Sequence, residues 1–384
     1  MLAMRKRSLR LLALFLLFSI SALAASPGSY QVFVGTYTGP QSKGIYSFQF
    51  DPSTGKATAP QLAAETENPS FLAIDPHHHF LYAVNEVGNY RGTNSGAVSV
   101  FALDPASWKL TFLQQVPSLG ADPAYVTLDN SGKDLLVANY TGGNVAVFPI
   151  QPDGKLGEHT SLDQHHGSSV DPERQKEPHA HSIQMTNDNR FALSADLGTD
   201  KVVIDRFDAA KGTLTANQPP SASVEAGAGP RHVAFAPSGK FVYVLNEMAT
   251  TVDVFALDPH SGAMRELQTI PTVEKHDPAN TGAEILLDRP GRFLYTSTRA
   301  IDIITEYAVD KNSGKLTLVA RTSSVAKTPR FFTLDPTGQW MFVAGQDSND
   351  IAIFRVDKTT GKLTPADTRV EVGAPVCLVF VPTS

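Results

Sequence analysis

One hairpin motif recurs along the chain at intervals of about fifty residues, and this repeat restricts the possible folds more than any other feature. Its six copies are FLAIDPHHHFLYAVNE, YVTLDNSGKDLLVANY, SIQMTNDNRFALSADL, HVAFAPSGKFVYVLNE, EILLDRPGRFLYTSTR and FFTLDPTGQWMFVAGQ. The residues that end the first arm are Asp75, Asp129, Thr186, Ala236, Asp288 and Asp335. Their spacings of 54, 57, 50, 52 and 47 residues indicate a repeat architecture built from one small β-unit.

A second hairpin follows each first one. Its seven copies are GIYSFQFDPSTGKA, GAVSVFALDPASWKL, GNVAVFPIQPDGKL, DKVVIDRFDAAKGTL, TTVDVFALDPHSGAM, IDIITEYAVDKNSGKL and NDIAIFRVDKTTGKL. Each unit therefore contains four short strands, and no segment keeps the 3.6-residue apolar period of a helix. The sequence predicts an all-β fold, a seven-bladed β-propeller with four-stranded antiparallel blades.

The two ends of the repeat predict how the ring closes. The N-terminal YQVFVGTYT has no first strand before it, and the C-terminal VCLVFV has no second strand after it. We expect these two strands to lie together in the seventh blade, and residues 25–384 to form a single propeller domain.

The first 24 residues have the order of an export signal. Arg5, Lys6, Arg7 and Arg10 precede an apolar run, and Ala22-Leu23-Ala24 supplies small residues for cleavage. We predict a signal peptide over residues 1–24 and a periplasmic or secreted protein that is not bound to a membrane after cleavage.

Charge and cysteine content restrict the partners. The formal net charge is −6, with no basic cluster beyond the N-terminus, so nucleic acid is not an expected partner. Cys377 is the only cysteine, so no intrachain disulfide can form, and its apolar surroundings predict a buried small side chain. The sequence gives no indication of the oligomeric state.

The repeat brings two sets of residues to one rim of the ring. Positions five before and eleven after each first-arm end should be cross-strand neighbours. The first set is Ser70, Ala124, His181, Arg231, Ala283, Arg330 and Cys377. The second set is Glu86, Tyr140, Leu197, Glu247, Arg299 and Gln346. Because the first strand of each blade lines the central channel, both sets should converge on its mouth.

This mouth carries the side chains of a reactive site. Arginine binds carboxylate or phosphate through two hydrogen bonds, and histidine and glutamate transfer protons near neutral pH. We expect His181, Glu247, Arg231 and Arg299 to be catalytic, and Arg330, Glu86 and Tyr140 to bind substrate. The alternative is a purely structural Arg231–Glu247 ion pair that joins two strand ends and takes no part in chemistry.

Two histidine-rich stretches are considered as metal sites. His77, His78 and His79 fill a hairpin turn and are predicted to lie on an exposed loop. The insertion at 151–180 contains His159, His165, His166 and His179, but their spacing matches no closed zinc pattern. We predict that the insertion overhangs the mouth, and that the protein uses no metal or other cofactor.

The motifs VGTYT, AVNE, VANYTGGNVAVF, PHAHS, GAGPRHVAFAPSGKFVYVLNE and AGQDSNDIAIF resemble the seven-bladed lactonase family from about Tyr30 to Pro382. That family includes bacterial propeller-type 6-phosphogluconolactonases and the fungal carboxy-muconate lactonising enzyme. The resemblance places functional residues at His181, Arg231, Glu247 and Arg299. It gives His179 as the second choice for the functional histidine, and we expect His179 to bind substrate. It implies hydrolysis of an anionic sugar lactone.

Two alternatives stay open at this point. The first is a non-enzymatic propeller that binds a ligand or protein, and the second is a lactonising reaction of the muconate type. The chain also departs from the resemblance in two features. Its predicted signal peptide conflicts with a phosphorylated lactone that is a cytosolic metabolite, and its histidine-rich insertion precedes the site histidine.

Overall fold

Each first hairpin of the repeat forms the two innermost strands of a blade, and in four of the six copies an aspartate at the end of the first arm closes the turn. At Asp335, the carboxylate accepts hydrogen bonds from the backbone N–H groups of Thr337, Gln339 and Trp340 at 3.1, 2.8 and 2.8 Å. All three hydrogen bonds lie within the turn, so its conformation does not depend on contacts with the rest of the ring. The computed structural model describes residues 28–383.

The described residues form seven antiparallel sheets around a central axis, and their strands follow in chain order. Strands β1–β4 are Tyr30–Thr36, Gly44–Asp51, Lys56–Ala57 and Gln61–Glu65. Strands β5–β8 are Leu72–Ile74, Phe80–Asn85, Ala97–Leu103 and Leu110–Pro117, with a short 3₁₀ helix at Tyr90–Gly92. Strands β9–β12 are Pro123–Leu128, Asp134–Asn139, Asn144–Pro149 and Ser161–Gln164. Strands β13–β16 are Ala180–Met185, Phe191–Asp196, Lys201–Asp208 and Thr213–Ser223.

The remaining three blades repeat this order. Strands β17–β20 are Pro230–Phe235, Phe241–Asn246, Thr251–Leu257 and Met264–Pro271. Strands β21–β24 are Thr281–Leu287, Phe293–Arg299, Ile303–Val309 and Leu316–Ser323. Strands β25–β28 are Pro329–Leu334, Trp340–Gly345, Asp350–Val356 and Leu363–Glu371, and β29 is Pro375–Pro382.

The ring closes through its two ends, as the sequence predicts. Strand β29 is the innermost strand of a sheet in which β1 is the second, with Tyr30 opposite Pro382 and Val34 opposite Leu378. The innermost strands contact one another in the cyclic order β5, β9, β13, β17, β21, β25, β29 and back to β5. The predicted seven-bladed propeller with four-stranded blades is confirmed.

Neighbouring blades are joined by apolar packing and by a recurring tyrosine contact. The hydroxyl of Tyr243 donates to the carbonyl of Gly314 in the next blade at 3.1 Å, and Tyr295 and Tyr82 make the same kind of contact. Gly314 has a φ of +73°, and a Cβ there would lie 2.5 Å from the ring of Phe241. Only glycine therefore allows this close approach. The resulting rigid ring holds the channel mouth in place.

The predicted signal peptide at 1–24 lies outside the described residues. Within residues 28–383, no helix has the length and apolar character needed to span a bilayer.

Candidate active site

The channel mouth is shaped by β-bulges in the innermost strands. The ladder between β17 and β18 pairs Pro230 with Asn246 and then His232 with Leu245, so Arg231 is the extra residue. His181 in β13 and Arg330 in β25 occupy the same bulged position. A bulge turns the side chain of its extra residue away from the regular alternation. These three residues have no partner in the ladder, and their side chains point to the mouth.

Glu247 is the centre of a three-arginine cluster at this mouth. Its Oε1 accepts from Arg174 Nη2 at 2.8 Å, and its Oε2 lies 3.1 Å from both Arg231 Nε and Arg299 Nη2. The Glu247 side chain is buried, and the Arg231 side chain is only 2 % exposed. The predicted Arg231–Glu247 contact is confirmed, but as part of a larger network than a single pair.

This network fixes the charge of Glu247. Burial raises the pKa of its carboxyl group, but Arg299, Arg231 and Arg174 outweigh burial and lower the pKa to about 2. Glu247 is therefore an anion at neutral pH and a poor proton acceptor. Both of its oxygens contact guanidinium groups.

Arg231 is held through its Nε and Nη1 nitrogens. Its Nε donates to Glu247, and its Nη1 contacts His232 Nε2 at 3.2 Å and donates to the carbonyl of Ala283. Burial lowers the pKa of Arg231, as do the nearby Arg330 and Arg299. Within residues 28–383, Nη2 makes no hydrogen bond. Nη2 is the nitrogen that remains for a ligand.

His181 lies beside this arginine as an uncharged ring. The side chain is buried at 4 % exposure, and in the described part of the chain its Nδ1 has no hydrogen-bond partner. Burial lowers the pKa of His181 well below its usual value, and the charge of Arg231 adds to this effect. Its ring meets those of Tyr140 and His232 edge-on, with centroids 5.3 and 5.2 Å apart. The ring is therefore uncharged at neutral pH, and a neutral imidazole has one ring nitrogen without a hydrogen.

A second group of charged residues lies around Arg330. Its guanidinium lies 5.3 Å from the ring centroid of Tyr37 and 3.9 Å from Glu86 Oε1. The Tyr37 hydroxyl donates to both carboxylate oxygens of Glu86, at 2.9 and 2.8 Å. Burial lowers the pKa of Arg330, but Tyr37 and Glu86 outweigh it and raise the pKa overall. Arg330 is thus a partly exposed cation.

The insertion reaches the mouth through Arg174. Besides Glu247, its Nη2 donates to the Tyr140 hydroxyl at 3.1 Å, and the Arg174 side chain is 41 % exposed. His179 stacks on Tyr140, with ring centroids 4.5 Å apart. The expectation that the insertion overhangs the mouth is confirmed at these contacts.

Two contacts anchor the insertion to the blade formed by β13–β16. His165 Nδ1 lies 2.8 Å from Asp196 Oδ2, and the Ser169 hydroxyl donates to Asp200 at 2.5 Å. Asp196 also accepts from the backbone N–H of His179 at 2.8 Å. The same carboxylate therefore fixes both the insertion and the start of the strand that carries His181.

All eight predicted site residues lie at this mouth, and four further residues there were not predicted: Tyr37, Arg174, His232 and Glu284. Tyr37 follows β1 and would appear in the second set if that set were extended to the seventh blade. In that blade, the residue predicted for the first set, Cys377, is one position beyond the residue that occupies the bulge. Cys377 pairs with Gly35 and is buried, so Val376 occupies the bulge.

The histidine-rich stretches do not gather metal ligands. His77 and His79 are exposed on a turn, as predicted, with ring centroids 6.1 Å apart. Over residues 28–383, no three His, Cys, Asp or Glu side chains are grouped closely enough to hold a metal ion.

Comparison with known proteins places this ring among enzymes. The family described as lactonase, 7-bladed β-propeller matches residues 31–380. A 6-phosphogluconolactonase of Bacillus subtilis is 35% identical over 304 residues, which cover 79% of this chain and 84% of that protein. A 6-phosphogluconolactonase of Formosa agariphila is 32% identical, covering 79% and 86%. The structure of a periplasmic gluconolactonase of Pseudomonas aeruginosa superposes with a TM-score of 0.86 at 34% identity, covering 93% and 100%.

Proposed function

The chain belongs to the seven-bladed β-propeller lactonase family, and from this premise we propose that it hydrolyses an anionic sugar lactone at the channel mouth. The observation that carries the proposal is the buried, neutral His181 beside Arg231 and Arg330. A proton acceptor within a group of cations suits attack on a carbonyl whose oxygen gains negative charge.

His181 is the general base in this scheme. Its imidazole accepts a proton from water while the water oxygen attacks the lactone carbonyl carbon. Glu247 is not suited to this step, because its carboxyl pKa is about 2 and both of its oxygens already bind arginines. The choice between His181 and Glu247 as base thus falls on His181.

Arg231 stabilises the developing oxyanion. Its Nη2 is the nitrogen left free by the contacts to Glu247, His232 and Ala283 within residues 28–383. A fixed donor directed at a developing negative charge contributes on the order of 3 kcal/mol to transition-state stabilisation. Arg299 shares Glu247 with Arg231 and keeps the carboxylate in place.

The ring opens when the tetrahedral intermediate collapses. The bond between the carbonyl carbon and the ring oxygen breaks, and the imidazolium of His181 returns its proton to that oxygen. The product is a hydroxy acid, which releases a proton to the solution at neutral pH. Arg330 and Arg174, both partly exposed, bind the anionic group of the substrate.

The names of the relatives suggest two substrates, a phosphorylated and a neutral gluconolactone. The export signal predicted over residues 1–24 favours a periplasmic or secreted enzyme, as for the Pseudomonas relative. Family membership favours lactone hydrolysis over a purely binding propeller or a lactonising reaction.

The test is hydrolysis of 6-phosphogluconolactone and glucono-1,5-lactone by the purified protein, followed by acid release in a pH-stat. We expect turnover of the phosphorylated lactone well above its spontaneous rate, and turnover of the neutral lactone alone would contradict the anionic substrate. Binding of either lactone without acid release would support the binding propeller instead.

A further inference from the structure

A chain of hydrogen bonds extends from the mouth into the channel and includes two residues that the proposed chemistry does not use. Arg231 Nη1 lies 3.2 Å from His232 Nε2, and His232 Nδ1 lies 3.0 Å from Glu284 Oε1. The backbone N–H of Ile285 also donates to Glu284 Oε1, at 2.9 Å. The carboxylate at the inner end of the chain is therefore fixed by its own strand.

The donors and acceptors along this chain assign one tautomer to His232. A guanidinium nitrogen can only donate, so His232 Nε2 must be the acceptor and carry no hydrogen. The hydrogen then lies on Nδ1 and is donated to Glu284. A doubly protonated ring would set two donors against each other at Nε2 and break the contact with Arg231.

The surroundings of His232 favour this neutral form. His232 and Glu284 are 2 % and 7 % exposed. The pKa of His232 is lowered by burial and by Arg231 and Arg330, and Glu284 offsets this only in part. The other groups that face the ring are Tyr125 and His181, with centroids at 5.2 Å each, and Phe71 at 6.1 Å.

His232 and Glu284 line a small cavity whose volume is about 10 Å³, room for about one water molecule. Its other walls include the mouth residues Glu86, Arg231 and Arg330. Both ring nitrogens of His232 are engaged in the chain, Nε2 with Arg231 and Nδ1 with Glu284. The contact that links His232 by a hydrogen bond to the proposed chemistry is therefore the one to Arg231.

We propose that His232 and Glu284 are positioning residues that hold the Arg231 guanidinium in the plane that leaves Nη2 directed at the substrate. His232 supplies an acceptor at Nη1, and Glu284 fixes the tautomer that makes this acceptor available. The activity part of the proposal rests on the proposed lactonase function, whereas the hydrogen-bond chain itself does not.

The tautomer is measured directly by imidazole ¹⁵N chemical shifts of the full-length protein, with the His232 signals assigned by their loss in His232→Phe. At neutral pH we expect a protonated Nδ1 and an unprotonated Nε2. A proton on Nε2, alone or with one on Nδ1, would overturn the proposal, whether or not the protein hydrolyses lactones.

The kinetic test uses a variant that keeps an aromatic ring at position 232 but removes both ring nitrogens. In His232→Phe, Arg231 loses its acceptor, and kcat should fall by about 100-fold, the scale reported for small misplacements of catalytic groups, with KM little changed. His232→Gln, whose side chain can both accept and donate, should recover part of this loss. Tyr125→Phe is the control, because its ring also contacts His232 but its hydroxyl bonds to Gln184.

A double-mutant cycle distinguishes positioning from an independent role. Adding His232→Phe to Arg231→Gln should cost no further activity, since His232 acts only through the arginine. Multiplicative losses would contradict the proposal. A wild-type protein with no lactonase activity would refute the proposed function instead, and the ¹⁵N result alone would then decide on the hydrogen-bond chain.

Discussion

Replacing Glu247 by Gln tests the charge cluster at the mouth through stability. The substitution keeps the shape of the side chain but removes the negative charge that three arginines share. The carboxyl pKa falls from 4.5 to about 2 on folding, and this difference corresponds to about 3 kcal/mol of stability at neutral pH. Breaking a buried ion pair from one side costs about 3 to 5 kcal/mol. We therefore expect Glu247→Gln to lower the free energy of unfolding by roughly 3 kcal/mol or more near pH 7.

The pH dependence identifies the cause of this loss. Because the folded pKa is lowered, the stabilisation is fully present above the unfolded pKa of 4.5 and disappears as the pH falls towards about 2. Protonated Glu247 resembles glutamine, so the stability difference between wild type and variant should shrink over that range. Urea unfolding at several pH values measures it.

The matched control for this measurement is Glu65→Gln. Glu65 pairs with Lys43 at 3.9 Å, and both side chains are about 70 % exposed, so its loss should cost less than about 1 kcal/mol. A stability difference for Glu247→Gln that stays constant down to the acid end would refute the electrostatic reasoning, as would a difference no larger than that of the control.

Two further predictions concern the substrate and the metal requirement. Arg174→Met should raise KM for a phosphorylated lactone about tenfold by removing one charge-assisted contact and should leave KM for a neutral lactone unchanged. Lys176→Met, at an exposed neighbouring position, is its control, and equal effects on both lactones would contradict a role in binding the anion. Lactone hydrolysis should also survive EDTA, and activity that chelation removes and zinc or calcium restores would show a metal site.

The fold could be predicted because its determinants are local and repeated. Strand alternation recurs in every unit and the acidic turn residue in four of the six first hairpins. The first and last incomplete units were therefore enough to predict the closure between β1 and β29. The mouth residues His181, Arg231, Glu247 and Arg299 followed from the same arithmetic, because equivalent positions of a ring meet at one rim.

The residues that sequence reasoning missed lack this repetition. Arg174 lies in an insertion that has no counterpart in other blades, and its contact with Glu247 depends on the folded path of that loop. His232 and Glu284 lie one position after the first set, where a bulge reverses which side chain faces the channel. The low pKa of Glu247 depends on Arg174 and Arg299, from other parts of the chain, as well as on Arg231 of the same hairpin.

The measurement that tests the central claim most directly is the turnover of His181→Phe with whichever lactone the wild type hydrolyses, with melting temperature recorded on the same samples. Phenylalanine keeps the ring, and His181 Nδ1 has no partner to lose within the described residues, so the fold should be preserved. We expect kcat to fall by about 100-fold or more, as for loss of a general base. Leu197→Val, at a fully buried position of the same rim, should keep most of the activity. Unchanged turnover in His181→Phe would contradict the account.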